Sequence, residues 1–361
     1  MLCRLVADRR EGVEHLVISL KGDGFYGNTL RANGVEPYSF GFKRFFQLAS
    51  FFEFVRLVRL IARLSPDVVQ TWLYHADLIG GLAARLAGCR RIVWGIRTAN
   101  LSPALNSRFT LMIAWFCARL SGVLPVAIAT CSVEAAKEHK RRGYEPGRFH
   151  VIPNGFDLGV YAPDVAKRQQ LRSEWGVSPQ EVLFGCVARW DPYKDHPNLL
   201  QALADVAARG QAVRCVLVGG GLSPGNEVLS GLLSKYNLDG SIVLAGPRSD
   251  IPAVMNSLDF HVLPSASEAF PNVVAEAMAC GIPCIVTDVG DAAMIVGDTG
   301  WVVPPKNPVS LASAIEEARE DFRGDNDGKR RIAARQRIED NFSLEKMTQA
   351  YRQLWESVAR K

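Results

Sequence analysis

The sequence predicts an α/β protein made of two doubly wound domains, each built on a parallel sheet, that face a common cleft. Two observations carry this prediction. The length of 361 residues suits two domains of about 100–200 residues each. In addition, short apolar runs alternate with helix-period segments along nearly the whole chain. Such alternation is typical of parallel strands that are buried on both faces.

The first domain is predicted to comprise residues 1–155. A helix over Leu2–Arg10, ended by Gly12, precedes its first strand. A doubly wound domain normally begins with a strand and a glycine-bearing turn, so we expect this domain to be truncated at its start. The codons upstream of Met1 are expected to encode about 15–30 further residues that form this strand and turn. The strand candidates of the domain are His15–Leu20, Asp67–Trp72, Arg91–Ile96, Val126–Cys131 and His150–Pro153.

The second domain is predicted over residues 156–342, and an amphipathic helix over 344–358 follows it. Ligands of doubly wound folds bind at the carboxyl ends of the strands, so we look for a site in the loops that follow them. Residues 324–328 are predicted to form a loop. The strand candidates of the domain are Leu183–Val187, Val213–Val218, Ile242–Ala245, Asp259–Leu263 and Pro283–Thr287.

The charge is unevenly divided along the chain. Residues 1–165 carry 21 Lys and Arg against 13 Asp and Glu, whereas the remainder carries 21 against 24. The basic half predicts an anionic partner such as a membrane surface or a lipid diphosphate, and no aromatic-interleaved basic motif points to nucleic acid. The eight cysteines show no zinc or C-x-x-C spacing, and arginines interrupt the apolar stretches. We therefore expect a cytoplasmic protein without a transmembrane span.

The segment Pro264–Pro283 is the most informative part of the sequence. It follows an apolar strand and opens a helix, with Pro271 suited to the first turn and Gly281 to the C-terminal stop. The free N–H groups and the dipole of such a helix start favour a phosphate. Glu268 before the helix and Glu276 inside it can accept hydrogen bonds from hydroxyls, so the segment predicts a nucleotide-sugar pocket. The alternative is a capped surface helix with two solvated glutamates.

Three further loops of the second domain follow predicted strands. Arg189 and Lys194 lie five residues apart after the first strand and can clamp a diphosphate. Arg248 follows a later strand and is expected to border the nucleotide base. Pro224 stands at the final position of a G-x-G-x-x-G pattern, which disfavours a dinucleotide oxidoreductase. The glycines that would let backbone N–H groups approach phosphate are Gly219, Gly220 and Gly221.

Together these residues resemble glycosyltransferase family 4, whose members are retaining enzymes of the GT-B type with two Rossmann-like domains. The resemblance covers roughly the whole chain and is strongest over residues 185–305. It implies that Arg189 and Lys194 hold the donor diphosphate. It also implies that Glu268 contacts the donor sugar, that Glu276 contacts the ribose, and that the terminal helix over 343–361 packs back onto the first domain. The residues around the helix start that are implied to meet sugar and phosphate are Phe270, Pro271, Asn272 and Val273.

The chain departs from the family pattern at three places. The family's first strand and glycine-rich loop have no counterpart before the first predicted helix. Many members place a histidine where Arg97 stands, and we assign Arg97 and Asn100 to the acceptor side. His75 ends the preceding strand and is predicted to act as a catalytic residue, the alternative being a structural histidine. Met294 stands where members usually carry a glutamate.

Residues 45–64 predict a helix with a broad apolar side and a basic face formed by Arg56, Arg59 and Arg63. Two interpretations stay open for this helix. It either packs on the first sheet or meets anionic lipid. The second interpretation would suit a lipid-linked acceptor.

The sequence thus predicts a retaining glycosyltransferase. The enzyme would move a hexose or N-acetylhexosamine from a nucleoside diphosphate sugar to a growing, lipid-linked surface glycan, at the inner face of the cell membrane. The glycan would belong to lipopolysaccharide, capsule or exopolysaccharide biosynthesis. No cofactor and no metal is expected, because Arg189, Lys194 and the helix start can stabilise the leaving diphosphate. The alternative is a non-catalytic, truncated chain that binds a nucleotide sugar without turning it over.

Overall fold

The computed structural model describes residues 1–7, 12–42, 48–99, 101–103, 106–324 and 327–360. The chain divides into two compact units. Unit 1 comprises Met1–Gly155 together with Leu344–Lys361, and unit 2 comprises Phe156–Ser343. Both units are layered α/β structures whose named strands pair in parallel. The doubly wound, parallel-sheet fold class predicted from the sequence is therefore confirmed.

Unit 1 contains two sheets. A four-stranded sheet has the order β3-β4-β5-β6, and β1 pairs with β2 in a sheet of their own. Several strands are shorter than predicted. The clearest cases are β1 and β3, in which only two residues each are in strand conformation. The strands are β1 (Ile18–Ser19), β2 (Tyr38–Ser39), β3 (Val69–Gln70), β4 (Ile92–Ile96), β5 (Ala127–Thr130) and β6 (Phe149–Val151). The helices are α1 (Leu2–Val6), α2 (Gly27–Ala32), α3 (Leu48–Leu64), α4 (Tyr74–Leu86), α5 (Arg108–Leu120) and α6 (Val133–Arg141).

Two of the predicted helices in unit 1 differ from the structure in their bounds. The first ends at Val6 rather than Arg10, and residues 8–11 lie outside the described part of the chain. The described part of the second begins at Leu48, and residues 43–47 likewise lie outside it. Leu57 and Ile61 of α3 are buried in the core. The packing interpretation of this helix is therefore correct for these residues.

Unit 2 contains one six-stranded parallel sheet of order β12-β11-β10-β7-β8-β9. Its strands are β7 (Phe184–Val187), β8 (Cys215–Val218), β9 (Ile242–Gly246), β10 (Phe260–Leu263), β11 (Cys284–Thr287) and β12 (Trp301–Val303). Its helices are α7 (Val165–Glu174), α8 (His196–Ala208), α9 (Glu227–Lys235), α10 (Ile251–Ser257), α11 (Asn272–Ala279), α12 (Ala292–Val296), α13 (Pro308–Arg323) and α14 (Asp327–Phe342). Sequence reasoning missed β12, and it placed the start of α14 inside a predicted loop.

The last helix, α15 (Leu344–Ala359), belongs to unit 1. Its apolar residues recur at helical spacing and form one buried stripe. This stripe packs on the face of the sheet that carries Val93, Ala127 and Ala129. The stripe residues are Met347, Tyr351, Leu354 and Val358.

The opposite face of the same sheet is covered by helices α3, α4 and α5. Alternate residues of a strand point to opposite faces, and Ile92, Trp94 and Ile96 of β4 accordingly pack into this second core. Among the described residues, no helix is both long and apolar enough to cross a bilayer. None of the eight cysteines, all of which are described, forms a disulfide.

Candidate functional site

The candidate site lies in unit 2, at the carboxyl edge of its sheet. The strand order reverses at β7, because β8 lies on one side of it and β10 on the other. In doubly wound sheets the loops that leave the two strands at such a reversal point diverge and open a crevice for ligands. The loop after β7 carries Arg189 and Lys194, and the loop after β10 carries Glu268. The topology therefore brings the predicted cations and the first predicted carboxylate to one place.

Lys194 and Glu268 form an ion pair across this crevice. The Lys194 ammonium Nζ lies 2.5 Å from Oε1 of Glu268, and the side chains are only 20% and 12% exposed. The Ser265 hydroxyl donates a second hydrogen bond to the same carboxylate oxygen, at 2.8 Å. The two loops are also joined through their backbones, because the N–H of Ala266 donates to the carbonyl of Tyr193 at 2.7 Å. The ammonium is thus held in a fixed, largely desolvated position.

Arg189 occupies a different environment from Lys194. Its side chain is 70% exposed and pairs with Asp191, with Nη2 at 2.8 Å from Oδ2. The other Asp191 oxygen accepts a hydrogen bond from the N–H of Tyr193 at 2.9 Å. The structure therefore does not join the two predicted cations in one clamp. Lys194 belongs to the partly buried pair with Glu268, and Arg189 lies at the rim with its own carboxylate.

The glycines after β8 serve a packing role that the sequence did not indicate. Gly219 has φ +151°, and a Cβ added there would lie 2.0 Å from the carbonyl oxygen of Ala188. Gly221 has φ +79°, and its added Cβ would lie 2.8 Å from Cβ of Trp190. The N–H of Trp190 donates to the carbonyl of Gly220 at 2.7 Å. Gly219 and Gly221 thus let the loop after β8 press against the loop after β7, which carries Arg189.

Helix α11 begins beside the ion pair. It starts at Asn272 with Pro271 as the N-cap residue, so Pro271 lies one position before the first helical turn where we predicted it. Gly281, with φ +75°, follows the C-cap and confirms the predicted stop. Glu276 is buried within the helix. The side chain of Phe270 is buried and packs among aromatic rings of unit 2.

The partners of Phe270 are aromatic. Its ring lies 6.3 Å from that of Phe156 and 5.8 Å from that of Phe342. This cluster fixes the backbone immediately before α11. Phe270 can therefore contribute to a ligand site only through its main chain, whereas Asn272 is exposed and Val273 half-buried at the helix start.

Sequence reasoning missed the residues that brace the Glu268 loop. The Thr287 hydroxyl donates to the carbonyl of Ser265 at 2.6 Å, and the N–H of Asp291 donates to the carbonyl of Ala269 at 2.9 Å. Gly290 has φ +57°, and a Cβ there would lie 2.6 Å from the carbonyl oxygen of Glu268. The available signal is a glycine directly before Asp291 and two positions after Asp288, in the loop that follows a strand at the same sheet edge. In that segment we had singled out only Met294.

Arg248 is engaged in contacts within unit 2. Its guanidinium makes two hydrogen bonds of 2.8 Å to the Asp250 carboxylate and one of 2.7 Å to Glu174. It also lies over the Trp175 ring at 5.8 Å. The hydrogen bonds to Asp250 raise the pKa of Arg248. This network anchors the loop after β9. The Arg248 guanidinium, which the sequence analysis places beside the nucleotide base, is thus paired with two carboxylates of unit 2.

The residues that the sequence analysis assigns to the acceptor side, and His75, belong to unit 1. Arg97 donates to Asn154 and to the Tyr351 hydroxyl at 3.4 Å, and it lies over the Trp72 ring at 5.3 Å. These contacts tie the end of β4 to β6 and α15, which is a structural role. His75 is half-buried with its ring 5.9 Å from that of Phe109, and burial together with the charge of Lys21 lowers its pKa. Asn100 lies outside the described residues.

Two histidines that feel the charge of Lys194, His196 and His261, are fully buried. Burial, together with the charge of Lys194, lowers the pKa of His196 to about 4 and that of His261 to about 3. Both imidazoles are therefore neutral at physiological pH. Within the described parts of the chain, no group of three or more His, Cys, Asp and Glu side chains is placed to hold a metal ion.

Two family profiles match the chain. The family described as "Glycosyltransferase Family 4" matches residues 5–160, and the family described as "Glycosyl transferases group 1" matches residues 181–321. The second match contains Arg189, Lys194, Glu268 and Glu276. Between them the two profiles account for most of both units.

Several named proteins are similar in sequence. EpsF of Bacillus subtilis (strain 168), named as a candidate glycosyltransferase, is 30% identical over 59% of this chain and 56% of its own length. The UDP-Gal:alpha-D-GlcNAc-diphosphoundecaprenol alpha-1,3-galactosyltransferase of Escherichia coli is 25% identical over 74% of this chain and 70% of its own length. The D-inositol 3-phosphate glycosyltransferase of Rhodococcus erythropolis is 32% identical over 52% of this chain and 44% of its own length. The chain thus spans about half the length of most of these relatives.

The solved structure of Anabaena Alr3699/HepE in complex with UDP is similar in fold. It has a TM-score of 0.85 and 22% identity, and the match covers 99% of this chain and 95% of that one. The same protein in complex with UDP-glucose gives a TM-score of 0.83 at 23% identity, covering 99% and 94%. At these identities the likeness shows the fold.

Proposed function

Since this chain belongs to the family 4-like glycosyltransferases of the GT-B fold, we propose that it transfers a hexose or N-acetylhexosamine from a nucleoside diphosphate sugar to a growing, lipid-linked surface glycan. The observation that carries the proposal is the Lys194–Glu268 pair at the sheet reversal point, 2.5 Å between charged atoms. A fixed cation and a fixed carboxylate beside the start of α11 suit a ligand that has both phosphates and hydroxyls.

The donor diphosphate would bind at Lys194 and the start of α11. The ammonium provides a point charge, and the helix start adds N–H donors and the positive end of its dipole. Such preorganised donors stabilise a leaving phosphate as its charge develops. Glu268 would accept hydrogen bonds from the sugar hydroxyls, and Glu276, one helical turn inside α11, would accept them from the ribose. Arg189 at the rim would turn from Asp191 to the diphosphate.

We propose a retaining transfer without a protein nucleophile. The bond between the anomeric carbon and the leaving phosphate oxygen breaks, and the bond to the acceptor oxygen forms on the same face. The acceptor proton passes to the leaving phosphate oxygen, so charge and atoms balance. A UDP-sugar is the favoured donor, because Anabaena Alr3699/HepE, which is similar in fold, binds UDP and UDP-glucose. No metal is required in this scheme, since the cation and the helix start supply the positive charge.

The acceptor is proposed to be a sugar carried on a polyprenyl diphosphate. The E. coli relative named above acts on a diphosphoundecaprenol substrate, and the excess of Lys and Arg in residues 1–165 suits an anionic acceptor. We propose that the enzyme works on the cytoplasmic side of the cell membrane. The cysteines, which form no disulfide, suit a reducing compartment.

A ligand panel followed by a turnover assay tests the proposal. Thermal shifts with UDP, GDP, ADP and their glucose and N-acetylglucosamine conjugates should single out one nucleotide, because binding to the folded state raises the melting temperature. The stabilising nucleotide sugar is then incubated with a polyprenyl diphosphate-linked sugar, with and without EDTA. Transfer with retained anomeric configuration in both conditions is expected. Stabilisation without transfer or hydrolysis would instead identify a binding protein, and the absence of any shift would overturn the proposal.

A further inference from the structure

Three neighbouring helices of unit 1 expose apolar and basic side chains on their outer faces. Helix α4 lies between α3 and α5, and all three pack their inner faces into the same core on one side of the four-stranded sheet. Their outer faces therefore point away from that sheet together. We call this surface the three-helix face. It consists of Phe51, Phe52, Arg56, Arg59 and Arg63 of α3, Leu82, Arg85 and Leu86 of α4, and Arg108, Met112, Trp115, Phe116 and Arg119 of α5.

The aromatic residues of this face are unusual for their exposure. Phe52 is 61% exposed and Trp115 is 52% exposed, and each has an exposed aromatic neighbour in an adjacent position of the sequence. The rings of Phe51 and Phe52 are 6.1 Å apart, and those of Trp115 and Phe116 are 5.0 Å apart. Single exposed apolar residues are ordinary, but such residues grouped on adjacent helices mark an interaction surface.

The charge of the face identifies the kind of partner. The three helices carry six arginines and only two acidic residues, Glu53 and Asp77. Asp77 is buried, and Glu53 pairs with Arg56 at 2.5 Å. The Arg119 guanidinium lies 5.1 Å from the Trp115 ring, so aromatic and cationic groups are interleaved. Such a combination fits the interface of a bilayer that contains anionic phospholipids, where aromatic rings enter the headgroup region and arginines meet phosphates.

We propose that the three-helix face docks unit 1 on an anionic phospholipid bilayer. This inference deepens the proposed function, since a lipid-linked acceptor is presented at such a surface, and it names the residues that reach the lipid. Helix α3 combines both earlier interpretations. Its inner side, with Leu57 and Ile61, packs into the core, while its outer side carries Phe52, Arg59 and Arg63.

Vesicle sedimentation of the full chain, without any sugar present, tests the proposal. Wild-type protein should bind phosphatidylglycerol-containing vesicles, bind phosphatidylcholine vesicles at least about tenfold more weakly, and lose affinity as salt rises. The variant Arg59→Gln/Arg63→Gln should bind about 30-fold more weakly, at about 1 kcal/mol per basic residue. The variant Phe52→Ser/Trp115→Ser should lose about tenfold or more. All substituted side chains are exposed, and unchanged melting temperatures check that the variants fold.

Two matched controls lie elsewhere on the chain. Phe25 and Tyr26 form a similar exposed ring pair, 5.2 Å apart, outside the three helices. Lys235 and Lys329 are exposed cations of unit 2. Phe25→Ser/Tyr26→Ser and Lys235→Gln/Lys329→Gln should bind vesicles as the wild type does.

Equal vesicle binding by wild-type protein and both three-helix variants would overturn the proposal. A second outcome would also overturn it. In that outcome the wild type does not bind vesicles and forms a dimer in analytical ultracentrifugation, and the Phe52→Ser/Trp115→Ser variant is monomeric. UDP affinity, measured by calorimetry on the same variants, should be unchanged. Failure of nucleotide binding in the wild type would contradict the proposed function, and it would leave the vesicle result to be judged on its own.

Discussion

Replacing Lys194 by methionine tests both the structural role of the ion pair and the proposed role of Lys194 in catalysis. The methionine keeps most of the apolar stem and removes only the charge. Glu268 would then retain the Ser265 hydroxyl as the remaining partner of its Oε1 atom among the contacts described above. We expect Lys194→Met to lower both the stability of unit 2 and the turnover of the enzyme.

The size of each effect follows from the environment of the pair. Breaking a fully buried pair costs about 3–5 kcal/mol, whereas exposed pairs contribute about 0–1 kcal/mol. With side chains 20% and 12% exposed, Lys194→Met should lower the free energy of unfolding by about 2 kcal/mol. Loss of one preorganised donor to the leaving diphosphate should also lower turnover by about 10²–10³-fold.

The double variant Lys194→Met/Glu268→Gln makes the distinction sharp. The Glu268→Gln change removes the carboxylate that Lys194→Met leaves without its ammonium partner. The double variant should therefore have a higher free energy of unfolding in urea than Lys194→Met alone, close to that of the wild type. Turnover at saturating donor should remain low, because the cation is still missing. Lys235→Met, at an exposed lysine of the same unit, should change neither quantity. Wild-type turnover in a folded Lys194→Met enzyme would refute the assignment of Lys194 to the diphosphate.

Three other predictions address the same unit. Glu276→Ala should weaken binding of the bare nucleotide in calorimetry, whereas Glu268→Ala should spare it and lower turnover; equal losses of nucleotide affinity would contradict this division. Gly290→Ala should lower turnover by about 10²-fold with little loss of nucleotide affinity, because its Cβ would displace the Glu268 carbonyl, 2.6 Å away; full activity would show that this brace is dispensable. Because the folded-state pKa of His261, about 3, lies below its ordinary value, the unfolded chain binds more protons below pH 6.5, and acidification from pH 6.5 to 5 should cost about 2 kcal/mol. His261→Leu should remove that share of the pH dependence in urea unfolding; parallel slopes for the wild type and His261→Leu would refute it.

The general form of the site could be predicted from the sequence. Lys194 and Glu268 are 74 positions apart, yet each follows a short apolar run that reads as a parallel strand. The rule that ligands bind at the carboxyl ends of strands was enough to place both at one edge. The predicted helix after Glu268 and its glycine stop followed from local turn chemistry alone.

The details that the sequence did not reveal depend on which partner each side chain finds. Arg189 and Arg97 are both arginines near strand ends, and the residue type alone does not show which partner each will find. Arg189 pairs with a residue two positions on, whereas Arg97 is held by Tyr351, 254 positions away. The brace at Gly290 depends on the close approach of two loops. Such an approach is fixed by the packing of neighbouring strands and not by any repeating pattern in the chain.

The division of unit 1 into two stretches of chain has a consequence for its biosynthesis. Domains generally fold as units, and the N-terminal ones fold first during translation. Here the sheet face that carries Val93, Ala127 and Ala129 is covered by α15, which follows unit 2 in the chain. The ribosome must therefore make all of unit 2 before unit 1 can bury that face. Unit 2, which is continuous from Phe156 to Ser343, can therefore complete its fold first. Until α15 is made, the sheet face of unit 1 remains an exposed apolar surface to which chaperones can bind.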